Sequence, residues 1–156
     1  IYANRKTIKH LKTTFGWLFK KKINYPAIIK SNLVKKKFSL GVKDEKISFE
    51  TVEAKHGPTQ SVVYLFEKAA YISDSNDLSI IKNIKFKKLN FLIIDCLKMQ
   101  KHPSHFNLED VLDIQKKISP KKTILTNLHH DLDYDYLLKI LPKEVIPAYD
   151  GLRITL

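Results

Sequence analysis

FLIIDCLKMQKHPSHFNLEDVLDIQKKI, residues 91–118, is the stretch on which the fold turns. Its opening, Phe91 to Leu97, is apolar except for Asp95, the pattern of a strand covered on both faces. A polar loop follows and ends in His102-Pro103-Ser104-His105. A helix is then expected from Leu108 to about Ile118. Asn107 suits its N-cap, Glu109 and Asp110 suit its positive end, and Leu108, Val111, Leu112 and Ile118 make the buried stripe. Pro120 closes it. Strand, loop and covering helix form the unit of layered α/β domains, where such loops gather on one edge of the sheet.

Downstream, Thr123 to Leu125 reads as a short strand, Tyr134 to Leu141 as a helix and Val145 to Ile146 as another strand. Asp150-Gly151 predicts a turn into a last strand with Leu152, Ile154 and Leu156 alternating. Upstream the texture is different. Residues 1–3 read as the end of a strand, and residues 5–19 as a helix carrying Ile8, Leu11, Phe15, Leu18 and Phe19. Pro26 marks a loop. Phe38 and Leu40 alternate, as do Ile47 and Phe49, around an expected turn over residues 41–45. Val62 to Phe66 and Ala69 to Ile72 follow as strands joined at Glu67-Lys68. The expectation is one α/β domain over residues 1–156, antiparallel first and strand–helix afterwards.

Composition narrows the classes. Apolar types make up 44% of 156 residues, which argues against disorder. No apolar run nears the roughly 20 residues that span a bilayer, so no membrane partner is expected. A lone Cys96 within an apolar run rules out a disulfide framework and suits a buried residue in a reducing cytoplasm. The formal charge is +12, almost all of it Lys. Lys20 to Lys22 and Lys35 to Lys37 lack the interleaved aromatics of a single-strand binder, so nucleic acid is admitted as a partner but not favoured.

His56, Asp74, His102, His105, His129 and His130 all fall where a strand ends or a loop begins. Imidazoles and a carboxylate are the donor set of hydrolytic zinc, manganese or iron sites. Taken singly each is ordinary: Asp74, between Ser73 and Ser75, reads equally well as a turn residue. His10 sits on the polar side of the first helix and has no assigned role. The order is what is distinctive: His56-Gly57, then Tyr71-Ile72-Ser73-Asp74, then Asp95 with His102-Pro103-Ser104-His105. Leu125-Thr126-Asn127-Leu128-His129-His130-Asp131 comes next, and Pro147-Ala148-Tyr149-Asp150-Gly151-Leu152 last. This succession resembles the metallo-β-lactamase superfamily over the whole chain. Within it, the likeness is to the branch of the phosphoribosyl cyclic phosphodiesterases, relatives of ribonuclease Z.

The resemblance implies an αββα sandwich with two divalent ions, zinc or manganese, activating water against a phosphodiester. It implies that His56 ligates one ion, that Asp74 bridges both, and that His105 is the acid–base residue facing the leaving group. It gives His102 no counterpart, and leaves Asp133, Tyr134 and Asp95 as supports of the last loop. Two departures stand out. The superfamily's H-x-H-x-D-H occurs nowhere in these residues. With Ile1 in place of Met, the expectation is an N-terminally truncated fold, its C-terminal two-thirds. And Asn127 stands where the family often has a histidine on the second ion. His129 could reach that ion if the loop curls back, alone or with Asn127. His130 diverges from it. The function expected is a cytoplasmic hydrolase of a small phosphodiester or ester, with a homodimer left open. The alternatives are a ribonuclease-Z-like nuclease and a non-catalytic module that keeps the fold.

Overall fold

The computed structural model describes residues 1–42, 45–83 and 88–156. The chain divides into two compact units, residues 1–38 and 39–156. Among the described residues no helix is long and apolar enough to cross a membrane.

In the first unit, β1 (Tyr2–Ala3) and β2 (Asn32–Leu33) pair in parallel, and α1 (Arg5–Thr14) follows β1 directly. Asn4 caps α1 by accepting from the Thr7 N–H at 2.8 Å. The helix expected over residues 5–19 is shorter than its apolar periodicity. It ends after Thr14, and Gly16–Phe19 tighten into a 3-10 turn. Two consecutive threonines followed by Gly16 account for the break, since β-branched residues and glycine are poor helix formers.

Among the described residues the larger sheet has seven strands in chain order: β3 (Lys37–Val42), β4 (Glu45–His56), β5 (Thr59–Phe66), β6 (Ala69–Ile72), β7 (Phe91–Asp95), β8 (Lys122–Thr126) and β9 (Val145–Pro147). The turn expected over residues 41–45 rests partly on residues 43 and 44, which lie outside the described residues. β4, β5 and β6 are antiparallel neighbours; β6 to β9 run parallel. The change of sense follows from the connections. Two-residue turns join β4 to β5 and β5 to β6, whereas α3 (Leu108–Ile118) and α4 (Tyr134–Ile140) bridge the later strands. Leu92 and Ile94 of β7 are wholly buried. In α3, Leu108, Val111 and Ile114 are buried, while Leu112 and Ile118 of the expected stripe are half-buried at its margin. The stripe is therefore centred toward the middle of the helix.

Two further differences from the sequence reading have plain causes. A short helix, α2 (Ile80–Asn83), was not expected; four residues are too few to show a period. The last strand does not form. The Leu152 N–H closes a turn onto the Tyr149 carbonyl, and residues 152–156 make no strand pairing. Alternation favours an extended backbone, but a strand also needs a neighbour to bond.

Candidate metal centre

β4, β6 and β7 end at one edge of the sheet, and each delivers one polar group there. His56 is the last residue of β4, Asp74 lies two residues past β6, and Asp95 closes β7. His105 comes from the loop between β7 and α3. Ligand atoms of His56, Asp74 and His105 all lie within 4.8 Å of one another. The rings of His56 and His105 meet edge to face at 4.6 Å.

Both imidazoles are held from behind. His56 Nδ1 is 2.8 Å from the Ser104 carbonyl oxygen, which can only accept, so Nδ1 carries the proton and Nε2 keeps its lone pair. His105 Nδ1 is 2.7 Å from Asp95 Oδ2. Asp95 is fully buried. Its other donors are the Ser75 N–H on Oδ2, at 3.3 Å, and Asn127 Nδ2 on Oδ1, at 3.0 Å. Burial pushes the Asp95 carboxyl above its ordinary range, while the bonds from Asn127, His105 and Ser75 pull against that rise. Imidazoles tied at Nδ1 by a carbonyl and a carboxylate are the arrangement found behind metal-ligating histidines, and the Asp74 carboxylate lies 4.0 Å from His105 Nδ1. The donors therefore fit a divalent ion.

Backbone close approach fixes the setting. Gly57 adopts φ +55°, and a Cβ there would lie 2.9 Å from Ser104 Cβ. Only glycine lets the β4–β5 turn pass so near the loop that orients His56. Asn76 ties the same loops, accepting from the Gly57 N–H at 3.2 Å and donating to the Pro103 carbonyl at 2.7 Å. Ser75, also buried, donates to the Lys55 carbonyl at 2.9 Å. The sequence reading assigned no role to Ser75, Asn76 or Ser104. They act through backbone groups far away in sequence, and the only local signal was their place just after a strand or beside a histidine.

The remaining expected residues are distributed as follows. Asn127 adopts φ 60° after β8, and its amide nitrogen faces Asp95 and, at 3.4 Å, His105 Nδ1. Its side chain supports the centre, and only its oxygen could serve an ion. His129 does not join His56, Asp74 and His105. It groups with His130 and Asp131: the Asp131 carboxylate lies 3.0 Å from His129 Nδ1 and 3.0 Å from His130 Nε2. The His129 N–H is bound to the Leu97 carbonyl at 3.0 Å. The His102 ring lies 5.2 Å from that of His105, and its Nδ1 faces Ser104. Asp133 caps α4 on the Tyr136 N–H at 2.8 Å, and Tyr134 meets Tyr149 edge to face. Cys96 is fully buried behind Asp95, its thiol pushed up to about 12 by burial and by the Asp95 charge, so it offers no ligand. Beside Asn127 lies an open recess of about 330 Å³, lined by the ends of β8 and β9 and by Tyr149 and Asp150.

No family model matches the chain. Over 99% of its length it superposes on a diphosphatase of the PhnP family with a TM-score of 0.82 and 27% identity, covering 57% of that chain. The metallo-β-lactamase fold protein YhfI of Bacillus subtilis follows with a TM-score of 0.71 at 19% identity, 97% of this chain and 63% of the other. Human tRNase Z, short form, gives a TM-score of 0.62 at 14% identity, 99% of this chain and 66% of the other. The chain has the metallo-β-lactamase fold. Among the solved structures above, its sequence is most like the PhnP-family diphosphatase. A curated octanoyltransferase of Porphyromonas gingivalis W83 is 25% identical over 155 residues, 98% of this chain but 31% of that protein. The chain thus spans about a third of that protein and little more than half of the diphosphatase.

Proposed function

We propose that the chain is the part of a metal-dependent hydrolase that holds one side of a dinuclear zinc or manganese centre and its proton donor, acting on a small phosphodiester or ester. The observation that carries this reading is the Asp95–His105 pair at 2.7 Å beside His56 and Asp74. A divalent ion bound there would polarise a phosphoryl oxygen and acidify water. The chain's own residues do the rest. Asp95, bound to Nδ1, fixes the His105 ring so that Nε2 is the nitrogen that passes a proton to a departing alkoxide. The recess beside Asn127 is of a size to take a small substrate. His56 and Asp74 would be this chain's ligands to the ion, with His105 beside them as the proton donor. A second ion needs ligands that the described residues do not bring to this cluster, so the 156-residue chain alone should bind metal weakly and turn over slowly.

In the whole protein, His105→Ala should lower turnover by about 10² or more on alkyl phosphodiesters with metal content near normal. The loss should shrink on nitrophenyl esters, whose leaving group needs no proton. Equal losses on both would mean that His105 ligates metal or only supports the loop.

A further inference from the structure

The positive charge is not spread over the molecule. Eleven of the 28 Lys and Arg residues lie in residues 1–38, together with none of the 16 Asp and Glu; the first carboxylate is Asp44. From residue 39 onward, seventeen cations face sixteen acids. A coding bias toward Lys would act on both parts, and the second part is nearly neutral. The cationic excess therefore belongs to the first compact unit.

The same unit exposes large apolar side chains: Trp17 at 61%, Ile23 at 99%, Tyr25 at 74% and Ile28 at 71%. Trp17 lies in the 3-10 turn, and the closed loop that follows it presents the other three. Its base is fixed where the Ile28 and Ile29 N–H groups meet the Leu18 carbonyl. At its tip Lys22 and Tyr25 form a two-way backbone bridge that leaves Ile23 and Asn24 outermost. Lys20, Lys21 and Lys22 lead into that tip, all exposed.

We propose that this loop docks the protein on the surface of an anionic phospholipid bilayer. Acidic lipid headgroups attract juxtaposed lysines, and a unit without a carboxylate meets no repulsion there. Ile23 at the tip can enter the boundary of the acyl region, while Trp17 and Tyr25 suit the headgroup layer, where rings with one polar edge accumulate. A single-stranded nucleic acid would engage the same lysines and both rings, but it has no use for two bare isoleucines. The expectation of no membrane partner came from the lack of a spanning run, which does not bear on surface docking.

Trp17 is the only tryptophan and so reports on the base of this loop. The 156-residue chain should sediment with vesicles containing one-third phosphatidylglycerol and not with pure phosphatidylcholine. Trp17 emission should shift to the blue and become shielded from iodide, and binding should weaken with salt. Joint replacement of Lys20, Lys21 and Lys22 by Ala should lower partitioning on the order of 100-fold, from the worth of each lysine near such a surface. Ile23→Ser should lower it about tenfold and reduce the blue shift. Both variants change exposed residues, and unchanged melting would show that they fold. No binding, or equal binding to neutral vesicles, would overturn the proposal. So would an Ile23→Ser chain that binds as before, or an oligonucleotide that binds more tightly than the vesicles and displaces them.

Discussion

Two histidine clusters occupy the loops at the carboxyl ends of the strands, and they are built differently. His56, Asp74 and His105 come from three separate segments, half-buried, and each imidazole is anchored at Nδ1 by a partner from another segment. His129, His130 and Asp131 are consecutive and more exposed, and their side chains are held mainly by one another. Adjacency in sequence brings the second set together at no cost in chain entropy, and equally leaves it free to rearrange. Assembly of the first set requires the β4–β5 turn, the Asp95 strand end and the His105 loop all to be in place. Such a site is pre-organised by the fold itself.

Metal binding is the sharpest way to break that contrast. His56→Ala should weaken divalent-ion affinity by more than about 100-fold, since losing a ligand exceeds the 10–100-fold cost of losing a supporting partner. His130→Ala should change it by less than about threefold. In the whole protein, His129→Ala should leave metal content unchanged, read by elemental analysis. If it dropped the content from two ions to one, the loop would curl back on binding and the two clusters would be one site.

Asp95 tests whether the inner cluster is held as described. Asp95→Ala leaves the buried Ser75 N–H and the part-buried His105 Nδ1 without their acceptor. Unfolding in urea should show a loss of about 3 kcal/mol, within the range for removing one partner of a buried polar pair. Activity of the whole protein should fall 10–100-fold with metal content near normal, because His105 loses its orientation. The comparable change outside, Asp131→Ala, should cost under about 0.5 kcal/mol. Similar costs at both positions would erase the distinction.

The same difference explains what could be read before the fold was known. The strand from Phe91, the cap at Asn107 and the helix to Ile118 are local, and periodicity and capping chemistry expose them. Breaks in periodicity are less legible: α1 stops at Thr14 although Phe15, Leu18 and Phe19 continue its apolar spacing. The Leu152–Leu156 alternation has no partner strand, and alternation alone says nothing of partners. At the site, His56, Asp74 and His105 were singled out from their order along the chain. Ser104 and Asn76 were not, because the atoms they engage lie 48 and 27 residues away and include main-chain carbonyls, which carry no residue signature. His129 was assigned to the second ion on sequence distance to Asn127, and its backbone tie to Leu97 was invisible there.

The finest test sets two carboxylates near the inner cluster against each other. Burial raises the Asp95 carboxyl. Asp77 is partly exposed. Its slight burial would raise it too, but bonds from the Ser79 hydroxyl and N–H and from the Lys55 N–H outweigh that and lower it. The signs of linkage are opposite. A group whose folded value is raised contributes its full stability below its unfolded value, near 4 for Asp, and loses it as pH rises through the folded value. One whose folded value is lowered contributes above about 4 and loses that as pH falls through the folded value. In metal-free protein, the stability of wild type relative to Asp95→Asn should therefore decline from about pH 3.5 upward. Relative to Asp77→Asn it should decline from about pH 4.5 downward, by only a few tenths of a kcal/mol because solvent still reaches and screens the group. Parallel slopes would show that Asp95 is solvated, and that the inner cluster is as open as the outer one.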